Sequence, residues 1–456
     1  MLAFLIFIFA SLVFVKSILF LVYLWQLKEY RFDRFLAEYG GKGKLWRFWL
    51  FSGGRKIWQP VWTVKAMVLA GISFLAVATA ELLTPLNLSL IFSYLLIYLL
   101  IPIFVGFLVW LLKKPTGFLK GLAFEQARMR MEEMPDMIVI GITGSYGKSS
   151  TKEFLAQILS AKFKVAKTPA NQNTEIGVAQ YILDELPADA EIFIVEMAAY
   201  AIGEIKTICG IAIPKIGILT GISEQHLALF GSLENTMKAK YELIESLPED
   251  GLAVFNAENQ YCLELSEKWQ GRKLTYKKSI VPKYKKLPEH YELNLNGAIA
   301  VARYLGMKPK EISEAIKGIE LGSHMMQRFF GKKDCLIIDD TYSANPDGVL
   351  AALDYLDKLS RKYIYKIIVM PCLIELGGAS SEVHERIGRK INDVCDLAII
   401  TTKDNFEDIK REAGGKAILA EAPEMIEVLL REHAGDQTAV LLEGRIPQAV
   451  LGFVKK

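Results

Sequence analysis

The 456-residue sequence contains no Cys-x-x-Cys pair. Its five cysteines (Cys209, Cys262, Cys335, Cys372 and Cys395) stand far apart. That spacing gives no support to a zinc site or a disulfide framework and suits single buried thiols in a reducing compartment. A strong excess of one charge is also missing. The net charge is +3 and no basic stripe is evident, which argues against a dedicated nucleic-acid binder. No basic region precedes the apolar start of the chain and no small-residue cleavage pattern follows it, so a secretory signal peptide accounts poorly for this segment.

What the sequence has in excess is apolar residues. They make up 52% of the chain and crowd into its first quarter, while the rest has the composition of a soluble protein. Leu2 to Trp25, Ala66 to Leu83 and Leu88 to Leu112 each form a nearly uninterrupted apolar run. At 1.5 Å per residue, roughly 20 residues cross a ~30 Å hydrocarbon layer, so three transmembrane helices are expected. Lys16, within the first run, must snorkel or face another helix. The turn Thr84-Pro85-Leu86-Asn87 carries no Lys or Arg. The stretch from Lys28 to Lys65 is rich in both, and Lys113, Lys114 and Lys120 follow the third run. By the bias of basic loops, the expectation is a multi-pass inner-membrane protein with everything after residue 113 in the cytoplasm. Trp46, Trp49, Trp58 and Trp62 suit an interfacial belt.

From Asp136 the pattern changes. Met137-Ile138-Val139-Ile140-Gly141 reads as a buried strand. The loop Gly144-Ser145-Tyr146-Gly147-Lys148-Ser149-Ser150 follows, and Phe154, Leu155, Ile158 and Leu159 then repeat with helical spacing. Strand, glycine loop, Lys-Ser and helix is the context a phosphate-binding loop needs. The glycines let backbone N–H groups turn onto an anion, and the helix N-terminus adds its dipole. Lys148 would neutralise the β- and γ-phosphates of ATP and Ser149 would reach Mg²⁺. The general loop pattern places a glycine at position 142, where this chain has Ile142. Further strands, Glu191 to Val195, Lys215 to Thr220 and Leu252 to Phe255, run into polar residues that include Glu196 and His226. Open α/β sheets keep their ligands at such strand ends. Lys366 to Met370, Leu397 to Thr401 and Thr438 to Leu442 are strand candidates of a second α/β domain.

The order of these pieces resembles the Mur ligase family, ATP-dependent ligases that add amino acids to peptidoglycan precursors. Thr143 to Ser149 matches the family's T-G-[ST]-x-G-K-[ST] loop and accounts for Ile142. Thr168-Pro169-Ala170-Asn171-Gln172-Asn173-Thr174 resembles its substrate-contacting segment. Glu196 matches its metal-binding carboxylate and His226 its histidine. Lys240, in Lys238-Ala239-Lys240-Tyr241-Glu242, falls where the family carries a carbamylated lysine. Asn294 lies where adenine is contacted. Arg328 and the run Asp339-Asp340-Thr341-Tyr342-Ser343-Ala344-Asn345-Pro346 resemble its third-domain nucleotide and substrate contacts. That run and Ile374-Glu375-Leu376-Gly377 look most like the D-alanyl-D-alanine-adding branch. Glu443-Gly444-Arg445 stands where a Lys-Gly-Ser-Arg type motif is usual, and apolar spans replace the UDP-binding first domain.

The resemblance implies an α/β protein with a membrane segment over residues 1–120, a P-loop central ATPase domain over 130–325 and a Rossmann-like C-terminal domain over 326–456. It implies an ATP- and Mg²⁺-dependent amide ligase working through an acyl phosphate, with Lys148, Lys240 and His226 catalytic. Ser149, Glu196 and His226 would hold the metal. Asn171, Asn173, Thr174, Tyr342 and Asn345 would meet substrate. The implied partners are a cell-wall precursor, an amino acid or dipeptide, membrane lipid and other cell-wall synthesis proteins, with no nucleic acid. A related Mur-type or polyglutamate-type ligase acting on a lipid-linked or other non-UDP acceptor is the alternative. A membrane-bound nucleotide-binding scaffold is a second one.

Overall fold

The computed structural model describes residues 2–39, 58–84, 90–170, 172–225, 227–278, 289–322, 325–342, 344–359 and 362–454. The chain divides into two units, Met1–Leu122 and Ala123–Lys456.

Among its described residues the first unit is helical: α1 (Leu2–Leu27), α2 (Phe32–Tyr39), α3 (Val64–Leu83), α4 (Leu90–Leu111) and the beginning of α5 (Lys113–Glu132). The three apolar runs are therefore helices, within two residues of the expected limits. Phe14, Ile18 and Leu21 of α1 pack with Leu69 and Ala70 of α3 and Val105 of α4. The one acid in α3, Glu81, accepts a hydrogen bond from the Ser11 hydroxyl at 2.9 Å, so it is not left unsatisfied among apolar neighbours. Phe9, Leu12, Leu75, Ile91, Phe92 and Ile103 are exposed. Pro85, Leu86 and Asn87 of the turn, with Trp46 and Trp49, lie outside the described residues.

The second unit holds two six-stranded sheets. The first is built from β1 (Ile138–Thr143), β2 (Val165–Lys167), β3 (Ile192–Glu196), β4 (Ile216–Leu219), β5 (Leu252–Asn256) and β6 (Arg272–Tyr276). Their order is β2-β3-β1-β4-β5-β6 and every pairing is parallel. Helices cover both faces, so the inner strands read as continuous apolar runs and not as alternating ones. On one face lie α6 (Lys148–Leu159) and α12 (Glu289–Tyr304), joined by an edge-to-face contact of Phe154 with Tyr291. On the other lie α7 (Glu175–Asp184), α8 (Glu204–Ala212) and α10 (Leu233–Glu245), through residues such as Val178, Ile205, Ile208 and Leu243. The short α9 (Leu227–Phe230) precedes α10, and α11 (Gln260–Lys268) follows β5.

After α13 (Pro309–Lys317), the second sheet takes β7 (Gln327–Phe330), β8 (Leu336–Asp340), β9 (Tyr365–Met370), β10 (Leu397–Ile400), β11 (Ala417–Leu419) and β12 (Thr438–Glu443). The order is β11-β10-β9-β12-β8-β7, with only the edge pair β7–β8 antiparallel. It is flanked by α14 (Pro346–Asp357), α15 (Ser380–Val394) and α16 (Phe406–Ala413), and on the other face by α17 (Pro423–His433) and α18 (Gln448–Val454). The strands that the sequence did not mark are β2, β6, β7, β8 and β11. β2 and β11 have three residues each, and β6 and β7 are edge strands with polar positions, so periodicity is weak in all four.

Parallel order gathers the strand C-termini along one edge of each sheet. Thr143, Glu196, Leu219 and Asn256 end the first set, and Asp340, Met370 and Glu443 the second. Beside the second sheet, α15 lies close against α16. A Cβ on Gly388 would fall 2.6 Å from the Ile409 carbonyl oxygen. Gly388→Ala is therefore expected to destabilise the protein by about 1–3 kcal/mol through overpacking. The shift should appear in the denaturant midpoint, and an unchanged midpoint would contradict this packing account.

Candidate active site

The loop after β1 is held by backbone closeness. Ser145 N–H donates to the Gly221 carbonyl at 2.7 Å, and the Ser145 hydroxyl accepts from Ser223 N–H at 3.1 Å. A Cβ on Gly144 would run into the Thr220 hydroxyl and come within 3.0 Å of the Gly221 backbone. The Tyr146 ring lies flat over Gly221, where any side chain would collide with it. Its hydroxyl accepts from Asn259 Nδ2 at 3.1 Å, and burial pushes its phenol well up. Gly147 caps α6 with φ +76°, and a Cβ there would lie 2.6 Å from Asn294 Oδ1. A left-handed residue with no side chain is what this turn needs. Lys148 Nζ donates to the Gly144 carbonyl at 2.7 Å, bridging the turn from within. Burial lowers the Lys148 pKa, and Glu196 partly restores it.

Glu196, the last residue of β3, is buried beside this loop. Its Oε1 accepts from the Ser149 hydroxyl at 3.1 Å and from Asn173 Nδ2 at 3.0 Å, while Oε2 lies 3.1 Å from Lys152 Nζ. Burial alone would raise the Glu196 carboxyl, but the Lys152 and Lys148 ammoniums and the Asn173 amide outweigh it and hold it below the ordinary value. Lys240, on α10, is buried with Nζ 5.6 Å from the centre of the Phe230 ring. Burial, reinforced by Lys148, pushes its pKa down to about 7 against the pull of Glu204 and Glu242. His226 and Asn171 lie outside the described residues. Ser150 sits in the first turn of α6, and Thr174 is the residue before α7, with no side-chain bond to the helix.

Among the described residues no group of three or more His, Cys, Asp or Glu side chains could hold a metal ion. Two hard oxygens do meet here, the Ser149 hydroxyl and the Glu196 carboxylate. Mg²⁺ usually takes one or two protein oxygens and fills its remaining positions with water and substrate phosphates, so this pair fits it.

Residues of the second sheet reach the same region unequally. The Tyr342 phenol is raised first by burial and then by the Glu196 charge, with Arg445 opposing, which places it in electrostatic range of the first sheet's carboxylate. Asn345 Oδ1 caps α14 by accepting from Gly348 N–H at 2.9 Å. Arg328, on the edge strand β7, is exposed and donates to the Tyr355 hydroxyl at 2.7 Å. Asp340 ends β8, where burial and the neighbouring Asp339 push its carboxyl to about 7. Its register partner Glu443 is fully buried with neither oxygen hydrogen-bonded, and burial and Asp340 drive its carboxyl well up. Adjacent carboxyls in such surroundings cannot both ionise cheaply.

Sequence reasoning missed four side chains. Lys152 is one turn beyond Lys148 inside an otherwise apolar stripe, and that position was the available signal. Glu443 was noted only as a departure from the family motif. His384 accepts from Leu373 N–H at Nε2 (3.0 Å) and bonds the Ser380 carbonyl through Nδ1 (2.6 Å), which pins the loop before α15. Arg386, on α15, lies 3.6 Å from Glu224 in the segment after β4. Nothing in the spacing announced the last two.

The Mur ligase middle domain model matches residues 142–325, and the model described as Mur ligase, glutamate ligase domain matches 326–446. This chain belongs to the Mur ligase family. It is 32% identical over 297 residues to the UDP-N-acetylmuramoyl-tripeptide--D-alanyl-D-alanine ligase of Synechocystis sp. (61% of this chain, 64% of that protein). It is 29% identical over 279 residues to the ligase of that name from Bacillus subtilis (56% and 60%). The chain thus spans less than two thirds of the length of these relatives. Among solved structures, the MurF ligase from Thermotoga maritima in complex with ADP superposes with a TM-score of 0.65 at 27% identity, over 73% of this chain and 83% of that one. MurF from Acinetobacter baumannii, at 23% identity and a TM-score of 0.67 over 73% and 80%, shows the same fold.

These relatives correct one expectation. The apolar runs predict a multi-pass inner-membrane protein with cytoplasmic catalytic domains, yet the ligases the chain matches are soluble cytoplasmic enzymes. Its three apolar helices qualify as spans by length and composition only. Hydropathy reports which solvent a helix can tolerate, and that is not evidence of where the protein resides.

Two outcomes test the site's geometry. Gly144→Ala puts a methyl into Thr220 and should destabilise the protein by about 1–3 kcal/mol, read from the denaturant midpoint; an unchanged midpoint would refute the close approach. Lys240 gives a pH signature. Its folded pKa of about 7 lies below the ordinary 10.5, so between these values the unfolded chain holds a proton the folded chain has shed. Stability therefore rises with pH across that window, and the penalty is full below about 7. In carbonate-free buffer, Lys240→Met should be more stable than wild type near pH 7, with the advantage shrinking toward pH 10. A pH-independent difference would contradict the burial of a lone amine.

Proposed function

We propose that the chain is an ATP-dependent amide-bond ligase of peptidoglycan precursor synthesis, adding a D-alanyl-D-alanine dipeptide to a muramoyl peptide. The observation that carries this reading is the meeting of Lys148, Ser149, Glu196 and Asn173 at the ends of β1 and β3, in a chain that both family models match in order. The curated relatives are named for this transfer, and the Thermotoga maritima neighbour was solved with ADP. In this reading residues 130–325 are the P-loop ATPase domain and 326–456 a Rossmann-like domain.

The reaction needs two oxyanions to meet. A substrate carboxylate attacks the γ-phosphate of ATP, giving an acyl phosphate and ADP. An amine then attacks the acyl carbon, releasing phosphate and forming the amide. Catalysis is charge neutralisation and positioning. The amides of Gly144 to Gly147 and the start of α6 would receive phosphate oxygens, with Ser145, Tyr146 and Ser150 shaping that cradle. Lys148 would swing from the Gly144 carbonyl to the transferring phosphoryl group. Ser149, Glu196 and the family's histidine position, His226, would hold Mg²⁺, which when bound would supply charge neutralisation. Lys240, as a buried amine near neutrality, is suited to take up CO₂ as a carbamate, turning a cation into an anion. Asn294, Arg328 and Asp340 would contact nucleotide. Asn171, Asn173, Thr174, Tyr342 and Asn345 would face the substrates.

One observation favours keeping a second acceptor in view. The family match starts at residue 142, and the described residues of the first unit are helical. A lipid-linked or other non-UDP muramoyl acceptor is therefore the second reading. The test is ADP release by the purified chain with UDP-linked and lipid-linked tripeptide acceptors, each with and without D-Ala-D-Ala. Release should need both acceptor and amine, and Lys148→Ala should lower it at least ~100-fold. Equal release without the amine would defeat the ligase reading, and the preferred acceptor decides between the two carriers.

A further inference from the structure

The sequence motif explains a lysine at 148 but not the second one, a helical turn later. We propose that Lys152 is a positioning residue of the ATP site. Its ammonium anchors Glu196 Oε2 so that Oε1 stays turned to Ser149. It also acts as a built-in counter-cation that keeps a free divalent ion off this carboxylate until the ion arrives with nucleotide. This rests on the reading of Ser149 and Glu196 as a Mg²⁺ site.

Lys152 is among the largest fully buried side chains of the protein. Its Nζ lies 3.1 Å from Glu196 Oε2, with side-chain exposures of 0% and 4% for the pair. A buried ammonium is tolerated only beside a compensating charge, and breaking such a pair leaves the other member uncompensated. The two carboxylate oxygens are used differently: neutral donors, Ser149 Oγ and Asn173 Nδ2, gather on Oε1, and Oε2 faces the cation. The lysines are divided as well. Lys148 Nζ is turned into the loop, 2.7 Å from the Gly144 carbonyl, where an incoming phosphate would meet it. Lys152 lies four residues on, one turn deeper along the same face of α6, and points to the carboxylate. Glu196 is thereby already neutralised. A bare divalent ion would meet one hydroxyl, a compensated carboxylate and the nearby Lys148 charge. The same ion carried by nucleotide brings its own negative phosphates. The geometry therefore favours the metal–nucleotide complex over the free metal.

The experiment measures Mn²⁺ binding to the purified full chain by electron paramagnetic resonance, with and without ADP, which separates metal binding from turnover. Wild type should bind nucleotide-free Mn²⁺ weakly and more tightly with ADP. Lys152→Met should tighten nucleotide-free binding by roughly ten-fold or more, since a unit charge a few ångströms from the metal has been removed. That would narrow the gap between the two conditions. Lys152→Arg, which keeps the charge, should behave like wild type. Lys152→Gln, neutral but able to donate to Oε2, replaces the Met variant should that one fail to fold, and the same tightening is expected. Nucleotide-free affinity unchanged in the neutral variants, with Glu196→Gln still lowering Mn²⁺ binding with ADP, would overturn the role of Lys152 and leave the metal site standing. Glu196→Gln without effect in any background would remove the metal site itself.

Discussion

Two backbone segments, residues 143–147 and 219–223, approach so closely that neither Gly144 nor Gly221 has room for a side chain. Gly144 faces Thr220 and Gly221, and Gly221 lies under the Tyr146 ring. The parallel pairing of β1 with β4 brings them together, and the Ser145–Gly221 and Ser223–Ser145 hydrogen bonds close them. Much of the site follows from that closure. It sets where α6 begins, so it sets where Lys148, Ser149 and Lys152 point. The pairing of β1 with β3 places Glu196 opposite Ile142 and within reach of all three.

Charge is the second constraint. Two lysines, the part-buried Lys148 and the buried Lys152, act on one buried carboxylate, Glu196, and Lys148 also acts on the buried Lys240. Around Glu196 the balance is positive, two ammoniums to one carboxylate. It is sustainable because each cation is treated differently. Lys148 leans on loop carbonyls, Lys152 is paired, and Lys240 is pushed toward its neutral amine. A buried charge without one of these relationships would cost several kcal/mol.

The second sheet contributes through contacts that hold its loops against the first. Ala228 N–H donates to the Glu375 carbonyl at 3.0 Å, Gly377 packs on the Ala228 backbone, and Arg386 faces Glu224. His384 fixes the loop that carries Glu375 and Gly377. Because its Nε2 accepts from Leu373 N–H, the ring is neutral, and burial favours that state. The Asp340–Glu443 neighbours are the opposite case. They are acids at strand ends where desolvation favours their protonated forms, and Glu443 stands where the family motif usually has a lysine.

The local pattern of the sequence was enough to place the glycine loop between a strand and a helix, the apolar helices, and the central strands of both sheets. In each of these the determining signal lies within a few neighbouring residues: a run of β-branched side chains, a glycine before Lys-Ser, an apolar stretch of helix length. The polar edge strands β6 and β7 were not legible, because their pairing depends on a neighbour far along the chain. Nor was the partnership of Lys152 with Glu196, two residues 44 positions apart that meet only when β3 lies beside β1. The depressed pKa of Lys240, the cap that occupies Asn345 and the unpartnered carboxyl of Glu443 were equally hidden. Burial and the identity of a spatial neighbour decide all of these. The sequence by itself determined that a glycine loop with Lys-Ser stands between a strand and a helix. Only the tertiary structure decided which charges face one another, because desolvation and pairing are properties of the assembled interior and not of any segment alone.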